Sequence, residues 1–235
     1  MTAPETAQVL EQVAARTRSD HYASAALSLT SGQYLSDARV REAAYKVVAS
    51  MESDHYVAAS LQTVLGTGTP TAAEMDFLVR ALADVSSDHY KHAMLTHILR
   101  GKLESSHRTA MAEAARQIKS DHYAAAFIEA VTAAPGATRR DLTSTLHAMD
   151  GLTSDHYESE ALRATLRLGD LTDADLVTLV ERAVRIQSDH NQSEALRAIL
   201  RHSGVGDRTR EAVRAAAAGL SRHYREEVER AAGRD

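Results

Sequence analysis

The sequence predicts an all-α fold, an α-solenoid of about seven helix-turn-helix repeats of 33–34 residues each. Three observations predict it. A Ser-Asp-His-Tyr motif recurs, with opening serines at Ser19, Ser53, Ser87, Ser120, Ser154, Ser188 and Ser221, in steps of 34, 34, 33, 34, 34 and 33 residues. Apolar residues follow a helical period on both sides of each copy. Glycine and proline breakers fall between the copies, and no strand pattern competes. A period in this range marks an array in which each unit is one supersecondary element. The chain then reads as a single solenoid domain over 1–235, with repeats near 1–35, 36–70, 71–104, 105–137, 138–171, 172–205 and 206–235.

The second helix of each repeat begins at the motif. In the fifth copy Ser154 is placed to cap the helix with its hydroxyl. Asp155 puts negative charge in the first turn, where the helix dipole favours it. Tyr157, Ala161 and Thr165 form one row and Leu162 and Leu166 the next, which together make an apolar stripe. Gly169 then offers a left-handed stop. Leu61, Leu95, Ile128 and Leu196 hold the core position of Leu162 in other copies.

The first helix of each repeat precedes the motif. In the sixth copy it runs from about Asp173 to Arg185, with Leu176, Leu179, Val180, Ala183 and Val184 on one face. Thr71 with Glu74 and Thr172 with Asp175 supply starting signals. Met51, Val85, Ile118, Leu152 and Ile186 each sit two residues before a capping serine and can staple the next helix. Breakers stand at Gly32, Gly66 to Pro70, Gly101, Pro135-Gly136, Gly169 and Gly204 to Gly206. At the C-terminus the motif decays to Ser221-Arg222-His223-Tyr224, and the last helix, Arg225 to Arg230, reads as a charged cap.

Composition narrows the function. Hydrophobic residues make up 44% but aromatics only 4%, so alanine, leucine and valine must fill the core. Six of the eight tyrosines belong to the motif. The formal charge of −5 argues against nucleic-acid tracking, which favours a basic face. The absence of cysteine excludes disulfides and thiolate metal sites. No apolar run reaches the roughly 18 residues of a membrane span, and Met1 to Leu10 lacks the pattern of a secretory signal. Cytoplasmic residence is the default expectation.

The period and the helix-turn-helix unit resemble the broad class of tetratricopeptide-like and HEAT-like solenoids, although the tetratricopeptide signature itself is missing. The motif is similar to bacterial helical repeats that carry Ser-Asp-Tyr followed by an acidic residue, as in regions attached to membrane-bound regulators of the peptidase type. His stands here in place of that Tyr, and Tyr in place of the acidic residue. The resemblance covers all seven repeats and implies a scaffold or interaction role. The peptidase signature His-Glu-x-x-His does not occur.

The repeat-motif residues are Ser19, Asp20, His21 and Tyr22; Ser53, Asp54, His55 and Tyr56; Ser87, Asp88, His89 and Tyr90; Ser120, Asp121, His122 and Tyr123; Ser154, Asp155, His156 and Tyr157; and Ser188, Asp189 and His190. With His223, seven of the twelve histidines share one slot, and helices stacked about 8–10 Å apart place them in a column. A structural reading gives each ring a bond to a backbone carbonyl or to the carboxylate of the next repeat. A metal reading meets the difficulty that each helix supplies one His, while neighbouring Asp and His point about 100° apart. His92 and His97 lie near His89, but His92 and His97 are five apart and not on one face. A proton-sensor reading predicts a melting temperature that moves between pH 5 and 8, rising or falling with whether the rings are charged or buried and neutral.

No catalytic constellation is present: there is no phosphate loop, nucleophile elbow or cysteine nucleophile, and Ser, Asp and His adjacent in sequence do not form a triad. No catalytic residue, metal site or cofactor is expected, and the chain reads as non-enzymatic. Arg163, Arg167, Arg197 and Arg201 form a basic ridge on the last second helices and are the candidate partner-binding residues. The plainer account of that ridge is pairing of Glu160 with Arg163 and of Glu194 with Arg197. The expected function is a scaffold binding a protein or peptide along the solenoid face. Self-assembly into a filament or oligomer and HEAT-like nucleic-acid binding are the alternatives.

Overall fold

The computed structural model describes residues 1–30, 35–65, 75, 77, 78, 81, 82, 84–99 and 105–233. It is an all-α array of helical repeats, as the sequence predicts. Among the described residues there is no strand; one isolated parallel bridge joins Thr138 to Gly169. Residues Met1–Gln117 and Ile118–Asp235 form two compact units.

The first unit contains α1 (Ala3–Arg16), α2 (Asp20–Ser28), α3 (Ala38–Ala49), α4 (Asp54–Leu65), α5 (Asp88–Leu99) and α6 (Ser105–Ala115). α1 packs on α3, α2 on α4 and α4 on α5. First helices therefore meet first helices, and second helices meet second helices, which is how stacked hairpins bury the apolar face that one hairpin alone leaves exposed. Leu10, Leu27, Val40, Ala44, Val47 and Leu61 line that core at 2% exposure or less. Tyr45 and Phe77, both half-buried, stack with centroids 4.1 Å apart.

The second unit contains α7 (Asp121–Ala133), a 3₁₀ turn (Arg139–Asp141), α8 (Leu142–Met149), α9 (Asp155–Thr165), α10 (Asp173–Ala183), α11 (Asp189–Leu200), α12 (Asp207–Ala217) and α13 (Arg222–Ala232). The second-helix series runs α7, α9, α11, α13, each packed on the next, and α10 packs on α12. Ile128, Leu162 and Leu196 are at most 1% exposed, as the common core position requires. Met51, Val85, Ile118, Leu152 and Ile186 are all buried.

Several local expectations change. α10 ends at Ala183 rather than Arg185, and the last helix spans Arg222–Ala232 rather than Arg225 to Arg230. Gly169 is not the left-handed stop; the positive φ, 63°, belongs to Asp170. Gly169 instead accepts from the Arg139 amide at the start of its own repeat, 2.7 Å away. Gly136 does take the left-handed conformation, at φ 76°. The Thr172 and Asp175 capping box forms as predicted. Thr71 with Glu74 and the breakers at Gly32, Gly66 to Pro70 and Gly101 lie outside the described residues.

A candidate interaction face and the repeat junction

Each motif serine stands at the start of its helix, but the hydroxyl is not what caps it. Ser19, Ser120, Ser154 and Ser221 make no side-chain cap bond. Ser188 alone among these five does so, accepting from the Asn191 amide at 3.4 Å. The residue that works at this junction is the aspartate of the repeat before. Asp20 accepts from the Glu52 and Ser53 amides at 3.1 and 2.7 Å. Asp54 accepts from the Ser86 and Ser87 amides and from the Ser86 hydroxyl. Asp121 holds the Thr153 and Ser154 amides, Asp155 the Gln187 and Ser188 amides, and Asp189 the Ser221 amide. A carboxylate at the first turn of one helix thus satisfies amides that lead into the next second helix, where the dipole also favours negative charge.

These bonds act on the carboxyl groups. Burial pushes Asp54 up, but the Ser86 hydroxyl and the Ser87 and Ser86 amides outweigh it and hold the group below its usual range. The Ser221 bonds do the same to Asp189. Between first helices, Asp173 is held low by the Thr209 hydroxyl, with help from the Gly206 and Thr209 amides. Asp175 falls to about 2: burial opposes ionisation, yet the Arg139 guanidinium and the Thr172 hydroxyl and amide prevail.

Within each unit, motif His and Tyr rings of successive repeats meet. Tyr56 Oη lies 3.4 Å from His21 Nδ1, and Tyr90 Oη lies 3.3 Å from His55 Nδ1. His122 meets Tyr157 and His190 meets Tyr224, with centroids 5.8 and 5.9 Å apart. Each tyrosine also packs edge-on against the His of its own repeat, as at His55–Tyr56 and His156–Tyr157, both 5.1 Å. The expected partners, a backbone carbonyl or the next carboxylate, are thus replaced by the next phenol in these pairs. All seven motif rings are exposed, so they are not the buried neutral imidazoles of one proton-sensor version. His89 packs on Tyr90, and His92 contacts Thr96 within its own helix. Tyr123 packs on His122. In the sixth repeat Asn191 occupies the tyrosine slot, and His156 turns to Glu160 at 3.6 Å.

Charged residues in one core slot escaped the sequence reading. Four residues after the motif serine stand Ala23, Val57 and Ala124, but also Lys91, Glu158 and Gln192. All six are buried. The Lys91 ammonium donates to the Gln117 carbonyl. Glu158 receives Arg182 Nε at 2.6 Å, while the same guanidinium reaches Asp150 and the Met149 carbonyl. A charge in a column of Ala and Val was the signal available, since such a group requires a built-in partner.

The basic ridge is placed on the exposed second-helix face of the second unit. Arg163 lies 3.9 Å from Glu194, one repeat on, rather than on Glu160. Arg167 reaches back to Glu129 at 2.9 Å. Arg197 bridges Glu194 and Glu227, both at 3.0 Å, so the expected pair within its own helix is present and extended. Arg201 is exposed and has no carboxylate within ion-pair distance among the described residues. Two depressions mark this face. One of about 330 Å³ lies between α7 and α9, floored by Ala125, Ala126 and Ala164 and walled by Glu129, Glu160, Arg163 and Arg167. The other, about 570 Å³, lies between α11 and α13 and is lined by Arg197, Leu200, Arg201, Glu227, Arg230 and Ala231. Among the described residues no cluster of metal-ligating side chains occurs, and no helix is long and apolar enough to cross a membrane.

No family model matches the chain, and no curated protein is similar to it. A solved structure described as "Computational Design of Self-Assembling Cyclic Protein Homooligomers" aligns with 98% of this chain and 88% of its own, at 12% identity and a TM-score of 0.22.

Proposed function

We propose that the chain is a non-enzymatic helical-repeat scaffold whose second-helix face binds an acidic segment of a protein partner. The observation that carries this reading is the depression between α11 and α13. Three arginines and one glutamate line it, with Leu200 and Ala231 as its apolar part. Arg197 is spent on two carboxylates, whereas among the described residues Arg201 has none and Arg230 bonds the Glu226 carbonyl. Guanidinium forks suit carboxylates in two-point contact. The second depression, one repeat pair earlier, repeats the same geometry with a balanced set of charges, so the two divide naturally into an anchoring pocket and a continuing track. The motif aspartates meanwhile bond amides of the following repeat.

The test uses the full chain and a fluorescein-labelled peptide of alternating Glu and Leu, read by anisotropy. Arg201→Glu weakens binding about tenfold, the equivalent of one lost charge-assisted contact, and adding Arg230→Glu weakens it further. Unchanged affinity in the double variant overturns the reading, as does tighter binding of a single-stranded oligonucleotide of equal charge.

A further inference from the structure

We propose that a cavity in the first unit, between the α3–α4 turn and the helical residues Phe77, Ala81 and Asp84, binds a small organic cation: an amidinium, guanidinium or primary ammonium on a short apolar body. Two other junctions show what this place in a repeat holds. Arg182, six residues before its motif serine, is buried and donates to Glu158, Asp150 and the Met149 carbonyl. Lys91, four residues after its own motif serine, is buried and donates to the Gln117 carbonyl at 3.2 Å. Counted from the motif serines, Arg182, Glu158, Asp150 and Met149 correspond to Ala81, Val57, Ala49 and Val48. Lys91 and Gln117 correspond to Val57 and Asp84. Every one of these counterparts lines the cavity, whose volume is about 240 Å³. Alanine and valine do not reach across it. The place that takes a cation of the chain itself in two junctions is here open to one from outside.

The wall carries the matching charge. Glu52, Asp54 and Asp84 line the cavity, and no Lys, Arg or His joins them among the described residues. Burial opposes ionisation of Asp54, but the Ser86 hydroxyl, the Ser87 and Ser86 amides and the Lys91 charge outweigh it. Glu52 and Asp84 are exposed and form no ion pair among the described residues, so both can meet a ligand's head group. Exposed carboxylates alone hold a cation weakly, and the rest of the cavity adds to them. Met51, Val57 and Val85 are at most 9% exposed. Half-buried Phe77 supplies an aromatic wall, a surface that attracts cations. Apolar walls with a few convergent polar groups make a ligand site, and one below roughly 300 Å³ takes a body of a single ring or short chain. The cavity shares no residue with the two depressions of the second unit, so it stands or falls apart from them.

Calorimetric titration of the full chain with benzamidine and with phenethylamine tests the site, with neutral benzamide as the control. At least one of the two cations binds with a Kd of about 1 mM or tighter, and benzamide binds at least about tenfold more weakly. Glu52→Gln combined with Asp84→Asn weakens the cation about tenfold and leaves benzamide unchanged. Ala81→Leu fills the cavity and abolishes binding. Val57→Glu combined with Ala81→Arg, which installs the pair that Glu158 and Arg182 form, does the same. Circular dichroism melts verify that each variant folds, and the two exposed carboxylate substitutions decide the matter where a cavity variant does not.

The proposal is overturned if neither cation binds by about 5 mM, or if benzamide binds as well as benzamidine. Wild-type affinity in the double carboxylate variant, or in folded Ala81→Leu, also overturns it. So does tighter binding of a terminally blocked Ala-Arg-Ala tripeptide than of either cation, since the occupant is then the side chain of a partner protein.

Discussion

An aspartate at the first position of a helix ordinarily serves its own dipole, with the preceding serine as the cap. In this chain the carboxylate leaves its own repeat and grips main-chain amides 32 and 33 residues ahead, as Asp121 does with Thr153 and Ser154. The two side chains should then differ in weight. Asp121→Ala removes charge-assisted bonds and lowers stability by about 1.5–3 kcal/mol, whereas Ser154→Ala, which loses no cap bond, changes it by under about 0.5 kcal/mol. Ser188→Ala, which does lose one, costs about 1 kcal/mol. Urea midpoints of the three variants check the order, and equal losses at Asp121 and Ser154 contradict it. The residues of this junction were legible in the sequence through their strict recurrence. Their roles were not, because a period shows which positions matter and not which repeat each side chain faces.

Helices were the most legible level. Periodicity and punctuation located the pairs, and the buried leucine of each second helix fell where the stripe required. What they hid was the polar content of the core: Glu158 and Arg182 satisfy each other across 24 positions of sequence, a distance no helical pattern spans. The pairing of second helices also depends on the ring ladder, which α11 interrupts with Asn191. Its amide cap on Ser188 and the bond from Ser159 to its carbonyl both use main-chain atoms, so the side chain is replaceable. Asn191→Tyr puts a phenol between His156 and His190 and raises stability by about 0.5–1.5 kcal/mol, the worth of an aromatic pair. A thermal melt that fails to rise, with helix content unchanged, refutes the continuity of the ladder.

At the scale of the molecule, carboxylates joined across repeats set the response to acid. Asp175 has a folded pKa of about 2 against an ordinary 3.8, and Asp54, Asp173 and Asp189 are lowered in the same direction. A depressed folded pKa contributes stability that is fully present above the unfolded value and lost as pH falls through the folded one. The array therefore weakens between about pH 4 and pH 2, and the Asp175 share is of the order of 1–2 kcal/mol. Urea midpoints at pH 6 and pH 2.5 check this: Asp175→Asn lies below the wild type at pH 6, and the gap narrows in acid. The array and its charged last helix were foreseen from the sequence.

The junction has one more consequence. Because the carboxylate holds amide nitrogens, the side chain just before each serine is free to vary: Glu52, Ser86, Thr153 and Gln187 all occupy that place with the amide bond kept, and the Ser86 and Thr153 hydroxyls add a bond of their own. Only proline is barred there, for want of a donor. Repeats built this way are interchangeable parts: one can be duplicated, deleted or exchanged with its coupling intact, so the number of repeats can change without redesigning their seams.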